Sequence, residues 1–335
     1  MKRIILIVSI TAFLFIAVLF FLLWKFHLYA GQPVGDDDTK KVVIVAPGQN
    51  FNVTAEKLHE IGIIKSLFKF KLLARFKGYD KQIKAGEYLL SPSMPPDTIL
   101  TYLSKGKVRL HRLTVPEGYN IYQIASIVAD SGLGMKKDFL STAADLSFVH
   151  EMKIKANTFE GYLFPDTYYF PKNVTPKKII RTMVKRFRRV FVFEWEKRAA
   201  SLGLSIHQVV TLASIIEKET GAALERPVIS SVFHNRLKKR MRLESDPTVI
   251  YGIIEDFDGN ITRKHLTTWT PYNTYKIAGL PPGPIASPGI KAIEAALFPA
   301  ETRFLYFVSK GDTTHKFSTN INDHNRAVRK YQLNR

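Results

Sequence analysis

The chain has 335 residues, enough for one large or two ordinary domains, and 46% of them are apolar, so a sizeable core can be built. It has no cysteine, which excludes disulfides, thiolate nucleophiles, iron–sulfur clusters and lipid attachment through sulfur. A formal net charge of +20 points to an anionic partner: nucleic acid, a lipid surface or an acidic polymer.

The N-terminus narrows that choice. Ile4 to Trp24 is an unbroken run of 21 uncharged residues, about 30 Å of helix, which matches a bilayer core. Lys2 and Arg3 precede it and predict a cytoplasmic N-terminus with the rest exported. Lys25 blunts that asymmetry, and Asp36, Asp37 and Asp38 follow. The competing reading is a cleaved signal peptide, but the run is longer than such apolar regions, and Leu28-Tyr29-Ala30 is a poor cleavage site. Export removes nucleic acid as a partner and leaves lipid headgroups or a wall polymer for the basic surface. The expected layout is a tip at 1–3, a transmembrane helix at 4–24 and a linker at 25–41. A membrane-proximal part at 42–138 and a catalytic part at 139–335 follow.

Val42-Val43-Ile44-Val45 reads as a strand and Pro47-Gly48 as a turn. Gly48, Asn50, Ala55 and Gly62 recur 70 residues later as Gly118, Asn120, Ala125 and Gly132. Each copy reads strand, turn, amphipathic helix, with Gly as the stop. The pattern resembles LysM-like wall-binding modules; two ordinary strand–helix units would give the same pattern. Between the copies, Ala85–Leu90 reads as a strand and Pro95–Leu103 as a short helix, and Val108–Val115 alternates as a half-buried strand. From Phe139 the chain turns helical and aromatic. Thr175 to Leu202 reads as one long basic helix with Thr at the cap and Pro at the first helical position.

Ser205-Ile206-His207-Gln208 has the form of a capping box, and a helix follows to Thr220, with Gly221 as its stop. On a wheel at about 100° per residue, Glu217 falls among Ile206, Val210 and Ala213, whereas Lys218 and Glu219 fall away from that centre. A carboxyl in an apolar setting holds its proton more readily, as a general acid must. On helix position alone, pairing with a buried arginine or with a helix end is the commoner fate of such a glutamate.

Several motifs then stand in a fixed order. Glu160-Gly161-Tyr162-Leu163-Phe164-Pro165-Asp166-Thr167-Tyr168 precedes Ala213-Ser214-Ile215-Ile216-Glu217-Lys218-Glu219-Thr220 and Glu225-Arg226. Ser231–Leu237, Met241-Arg242-Leu243 and Ser245-Asp246-Pro247-Thr248 follow. Tyr272-Asn273-Thr274-Tyr275 and Gly279–Ile285 close the series. This series resembles the endolytic murein transglycosylase family, MltG or YceG-like, from about Val42 to the C-terminus. The resemblance implies a lyase acting on peptidoglycan, with Glu217 as the catalytic residue, that cleaves between N-acetylmuramic acid and N-acetylglucosamine inside nascent strands. The muramoyl C6 hydroxyl, not water, attacks C1, so one carboxylate can both give and take the proton. It implies partners at the membrane, peptidoglycan synthases among them.

Tyr272, Asn273, Thr274 and Tyr275 lead into a Pro/Gly-rich segment read as a wall of the cleft, since aromatic faces and amides suit sugars. Tyr251 joins them as a substrate contact. Asn235 is a candidate for orienting Glu217 or a substrate amide. Glu160 and Asp166 can line the cleft or shape turns around Gly161 and Pro165. Asp246 reads as a helix cap first. No cofactor is expected, nor a metal, because His207, His234, His265, His315 and His324 lack ligand spacing. The expected fold is α+β: small strand–helix units, then a mainly helical catalytic region. Two rivals remain: a muramidase with a second carboxylate, for which Asp246 or Glu219 are candidates, and a membrane-tethered wall-binding scaffold. A nucleic-acid binder is the third and conflicts with the anchor.

Overall fold

A computed structural model of the chain describes residues 1–219 and 222–333, leaving aside the side chains of Lys2 and Arg3. The expected helix stop at Gly221 and the charge flank at Lys2 and Arg3 therefore lie outside what is described. The architecture is mixed α and β, mostly helical, with small two-stranded sheets. The chain packs as two compact units. Met1–His111 with Pro171–Asn173 forms the first; Arg112–Phe170 with Val174 onward forms the second.

The first unit begins with helix α1 (Lys2–Gly31), whose residues from Ile4 are long and apolar enough to cross a membrane. After it come strand β1 (Lys41–Val45), helices α2 (Phe51–Glu60) and α3 (Leu67–Phe76), strand β2 (Gly86–Leu90) and helix α4 (Pro96–Lys105). β1 and β2 pair antiparallel, with Val43 opposite Tyr88. Alternation along β1 turns Val43 and Val45 into a core that also holds Leu58, Phe70, Leu73, Tyr88 and Leu100.

The second unit opens in the same way, with one more helix before the paired strand. Strand β3 (His111–Thr114) starts at the boundary, and helices α5 (Ile121–Asp130), α6 (Lys136–Ala143) and α7 (Leu146–Glu151) lead to β4 (Thr167–Phe170), its sheet partner. The backbone keeps the repeat in detail. Gly48 and Gly118 both sit at φ +74°, and Gly62 and Gly132 at +75° and +68°. Asn50 and Asn120 both cap the following helix through their side chains; Asn120 adds a capping box with Gln123. Residues 112–138, read from sequence with the membrane-proximal part, contribute Leu113, Ile121, Ile124 and Val128 to the second unit's core.

The single helix expected over Thr175–Leu202 is two, α8 (Pro176–Val190) and α9 (Phe193–Ser201). Thr175 caps the first as expected. The break falls at Phe191-Val192, where Phe191 turns into the core at 5% exposure and stacks on Phe187. Helix α10 (Ile206–Glu219) follows, with its capping box in place: Gln208 N–H donates to Ser205 Oγ, and Ser205 N–H to Gln208 Oε1. Its eight residues Val209–Ile216 are all buried, so the predicted one-sided stripe is a helix covered all round. The unit ends with α11 (Arg226–Lys238), α12 (Asp246–Gly252), α13 (Arg263–Thr267), α14 (Ile290–Leu297), the hairpin β5 (Tyr306–Ser309) and β6 (His315–Ser318), and α15 (Ile321–Val328). The cap expected at Asp246 falls one residue earlier, at Ser245, and Asp246 is the first helical residue.

Candidate active site

Glu217 lies where α10 emerges from the core; its side chain is 6% exposed. Its two oxygens have separate donors. Oε1 accepts from Arg226 Nη2 at 3.0 Å, and Oε2 from the backbone N–H of Gly289 at 3.0 Å. Arg226 is the first residue of α11, and its side chain is 12% exposed. The arginine pairing expected of a glutamate in this position is therefore present. Gly289 is the N-cap of α14, so the carboxyl stands at the end of that helix where backbone dipoles favour negative charge.

A second carboxyl converges on the same glycine. Glu117, in the turn between β3 and α5, lies so close that a Cβ on Gly289 would fall 1.9 Å from Glu117 Oε1. Partial burial, then the charge of Glu217, holds the Glu117 carboxyl above its ordinary value, against the pull of Arg226. Gly118 closes the turn, with space for a Cβ only 3.5 Å from Glu217 Cγ. Gly118 N–H donates to Ser287 O, Ser287 N–H to Tyr119 O, and Lys218 Nζ reaches Gly118 O at 3.4 Å. The Pro/Gly-rich segment is thus laced to the Glu117 turn on one side. On the other it is laced to α10: Ile285 N–H donates to Ser214 Oγ, and His207 Nε2 to Pro282 O. Arg226 Nε is buried without a hydrogen-bond partner among the described residues.

The other expected site residues form two further groups and some isolated positions. Tyr251, Tyr272 and Glu160 come together. Tyr251 packs on Tyr272 with ring centroids 4.8 Å apart and donates its hydroxyl to Glu160 Oε2 at 2.9 Å. Glu160 is 3% exposed and also accepts from Ile121 N–H. Burial raises its carboxyl to about 7 despite those hydrogen bonds, and burial pushes the Tyr272 hydroxyl up to about 12. Tyr251, Tyr122, Phe257, Gln123 and Lys218 line an open groove of about 530 Å³ beside the Glu117 turn.

Glu219, Asp246 and Tyr275 line a second depression of about 660 Å³. Ser245 Oγ donates to Glu219, and Tyr275 donates to Asp246 Oδ1 at 2.7 Å. Burial raises Glu219 to about 7, outweighing the Ser245 hydrogen bond that lowers it. Glu217 and Glu219 therefore have different surroundings, as the wheel indicates, although Glu219 is half-buried rather than turned to solvent.

Asn273 and Thr274 are fully buried. Asn273 Nδ2 is spent on the carbonyls of His265, Leu266 and Thr268; Thr274 Oγ1 accepts from Ser245 N–H. Asn235 Nδ2 donates to Thr302 O and Phe304 O, tying α11 to the approach to β5. Asp166 pairs with Arg186 Nε at 2.6 Å and accepts from Thr167 N–H. His234 Nε2 bonds Ala296 O, and burial lowers its pKa. No group of three or more potential metal ligands occurs among the described residues.

Sequence reasoning missed Glu117, Arg226 and Gly289 as parts of one site. One signal was available for Glu117: in the aligned copies it stands where the first has Pro47, so a carboxylate replaces a turn former beside an otherwise matched glycine.

The sequence model of the YceG-like family matches residues 43–330. An endolytic murein transglycosylase of Bacillus subtilis (strain 168) is 35% identical over 317 residues, covering 90% of this chain and 87% of its own. One of Streptococcus pneumoniae serotype 2 (strain D39 / NCTC 7466) is 30% identical over 346 residues; the match covers 91% of this chain and 61% of that longer protein. A crystal structure of a yceG-like protein from Listeria monocytogenes superposes with a TM-score of 0.60 at 34% identity, covering 86% of this chain and 99% of that one. The chain belongs to the YceG-like family.

Proposed function

We propose that this chain is an endolytic murein transglycosylase, a lyase that cuts peptidoglycan strands internally, and that Glu217 is its acid and base. The names of its relatives support the reaction class. The observation that carries the residue assignment is the fixed carboxyl of Glu217, held by Arg226 and the Gly289 N–H.

In this reading Glu217 gives its proton to the bridging oxygen as the C1–O bond breaks. The muramoyl O6 then bonds to C1, and its proton returns to Glu217, so no water is consumed. The donors on both oxygens remain in place throughout, and stabilise the carboxylate that forms without reorganisation. Intramolecular attack gains from proximity and needs no second carboxylate.

Helix α1 serves as a single membrane anchor with a cytoplasmic N-terminus, which places the catalytic unit beyond the membrane next to nascent strands and their synthases. The strand–helix–helix–strand part of the first unit is the first copy of the LysM-like pattern in this reading.

The hydrolytic alternative has one observation in its favour: a second carboxylate, Glu117, at the same glycine, in place of Asp246 or Glu219. Incubating the chain with un-crosslinked glycan strands and weighing the products separates the two. The lyase leaves ends lighter than hydrolysis products by one water, and Glu117→Gln still makes them. Ends that carry the water, lost with Glu117→Gln, would establish a hydrolase; cleavage that survives Glu217→Gln would overturn both.

A further inference from the structure

Helix α3 has two opposed apolar faces. Phe70, Leu73 and Ala74 enter the first unit's core. Phe68, Leu72 and Phe76, each four residues on from the last, follow one another along the opposite face and are 75%, 44% and 81% exposed. Isolated surface hydrophobes need no explanation, but a continuous stripe marks an interaction surface. Cations flank it: Lys65, Lys69 and Arg75 are exposed, whereas Lys71 and Lys77 are paired with Glu56 and Asp97.

The orientation of α3 follows from its two ties to α1. Tyr29 donates its hydroxyl to the carbonyl of Ser66, the α3 N-cap, at 3.1 Å. At the other end the ring of Phe76 meets Phe26 edge-on, with centroids 6.5 Å apart. Tyr29 and Phe26 are three residues apart on α1, about 4.5 Å of rise, whereas Ser66 and Phe76 are ten apart along α3, about 15 Å. Both ends of the shorter helix are thus tied to the same short stretch at the end of α1. Phe26 lies only two residues, about 3 Å, beyond Trp24, where the apolar run ends. Aromatic residues gather at that level of a bilayer.

We propose that α3 is an interfacial helix: Phe68, Leu72 and Phe76 enter the headgroup–acyl boundary of the membrane that α1 spans, and Lys65, Lys69 and Arg75 meet anionic headgroups. The stripe of apolar residues with basic flanks is the pattern of helices that lie in that plane. The inference rests on the reading of α1 as a membrane anchor. It gives the first unit a second attachment to the bilayer, so that the unit is held at a fixed tilt instead of swinging on one helix.

The chain has no cysteine, so single-cysteine variants report one site each. The full chain is reconstituted in phosphatidylethanolamine–phosphatidylglycerol vesicles with an environment-sensitive fluorophore at Phe68→Cys, Leu72→Cys or Phe76→Cys. Leu14→Cys, within the apolar run, and Asn52→Cys serve as references. Asn52 is exposed on α2, next to Phe51, which stacks on the inward-facing Phe70. The expected result is a blue shift at positions 68, 72 and 76, with loss of fluorescence to nitroxide-bearing lipids as large as at position 14, and neither change at 52. Labels on α3 quenched no more than at 52 would overturn the proposal. So would labels shielded from an aqueous quencher yet untouched by the lipid nitroxide, since a protein would then cover the face. If position 14 is itself unquenched, the anchor reading fails, and the proposal with it.

Discussion

Glu160 offers a sharp test of how burial acts in this protein. Its carboxyl is 3% exposed and raised from the ordinary 4.5 to about 7, chiefly by burial. Below about pH 4.5 the group is neutral in the folded and the unfolded chain alike, and its environment costs nothing. Above about pH 7 it is ionised in both, and the folded state carries the cost of a buried charge. Stability is therefore fully present at the acid end and lost as pH rises through that window. At 1.36 kcal/mol per pH unit the loss is about 3 kcal/mol. Glu160→Gln copies the neutral form: its amide oxygen can still accept from Ile121 N–H and Tyr251, while its NH2 faces Gly161 N–H, an acceptor lost at 3.3 Å. The variant should start about 1 kcal/mol less stable at pH 4.5 through that mismatch. It should then overtake the parent by neutral pH. Urea denaturation of the detergent-solubilised chain at half-unit steps from pH 4.5 to 8 measures the difference directly. The same buffers apply to Glu219, also raised to about 7, so the parent retains that second dependence and only the difference curve is diagnostic. A variant whose midpoint runs parallel to the parent across the window would refute the reasoning, because desolvation would then not be what Glu160 experiences.

Glu217→Gln should lower the rate of strand cleavage by about 10²–10⁴, the usual worth of a positioned proton donor, with the fold intact by circular dichroism. Gly289→Ala puts a methyl group where the Glu117 carboxyl now stands, yet Gly289 has φ −75° and Glu117 is exposed, so the change should cost less than about 1 kcal/mol. The displaced Glu117 should titrate closer to its ordinary value, which carboxyl NMR can follow. Gly161→Ala is the opposite case. The residue sits at φ +81°, and the new Cβ would lie 2.5 Å from the Pro284 ring, so a loss of about 2–4 kcal/mol is expected in thermal unfolding. Tyr251→Phe removes a donor to Glu160, should cost about 1 kcal/mol, and should move the Glu160 transition further up the pH scale.

Local signals carried far in this chain. The capping residues Thr175 and Ser205, the strands at Val42 and Gly86 and the apolar run at Ile4 act over a few residues, and each is where the pattern places it. The break at Phe191-Val192 was not legible, because neither Pro nor Gly marks it and only the packing of Phe191 into the core requires it. The same limit applies to the site. Glu217 could be chosen from a helix wheel, but Arg226, Gly289 and Glu117 meet it from three other segments. Asn273 and Thr274 show the reverse error of inference: a side-chain amide and a hydroxyl suit a sugar, but they equally suit a turn whose buried backbone groups need partners, and they serve the turn here.

The matched turns at Gly48 and Gly118 have a consequence for how this molecule tolerates change. Two copies of one backbone corner hold the same φ and the same asparagine cap, but only the second carries an acidic residue beside the glycine. Geometry and chemistry are thus separable at this corner. The first copy demonstrates that the turn forms without a carboxylate, so substitutions at position 117 can be interpreted as losses of a chemical group, and the first copy supplies the built-in control for any variant made in the second.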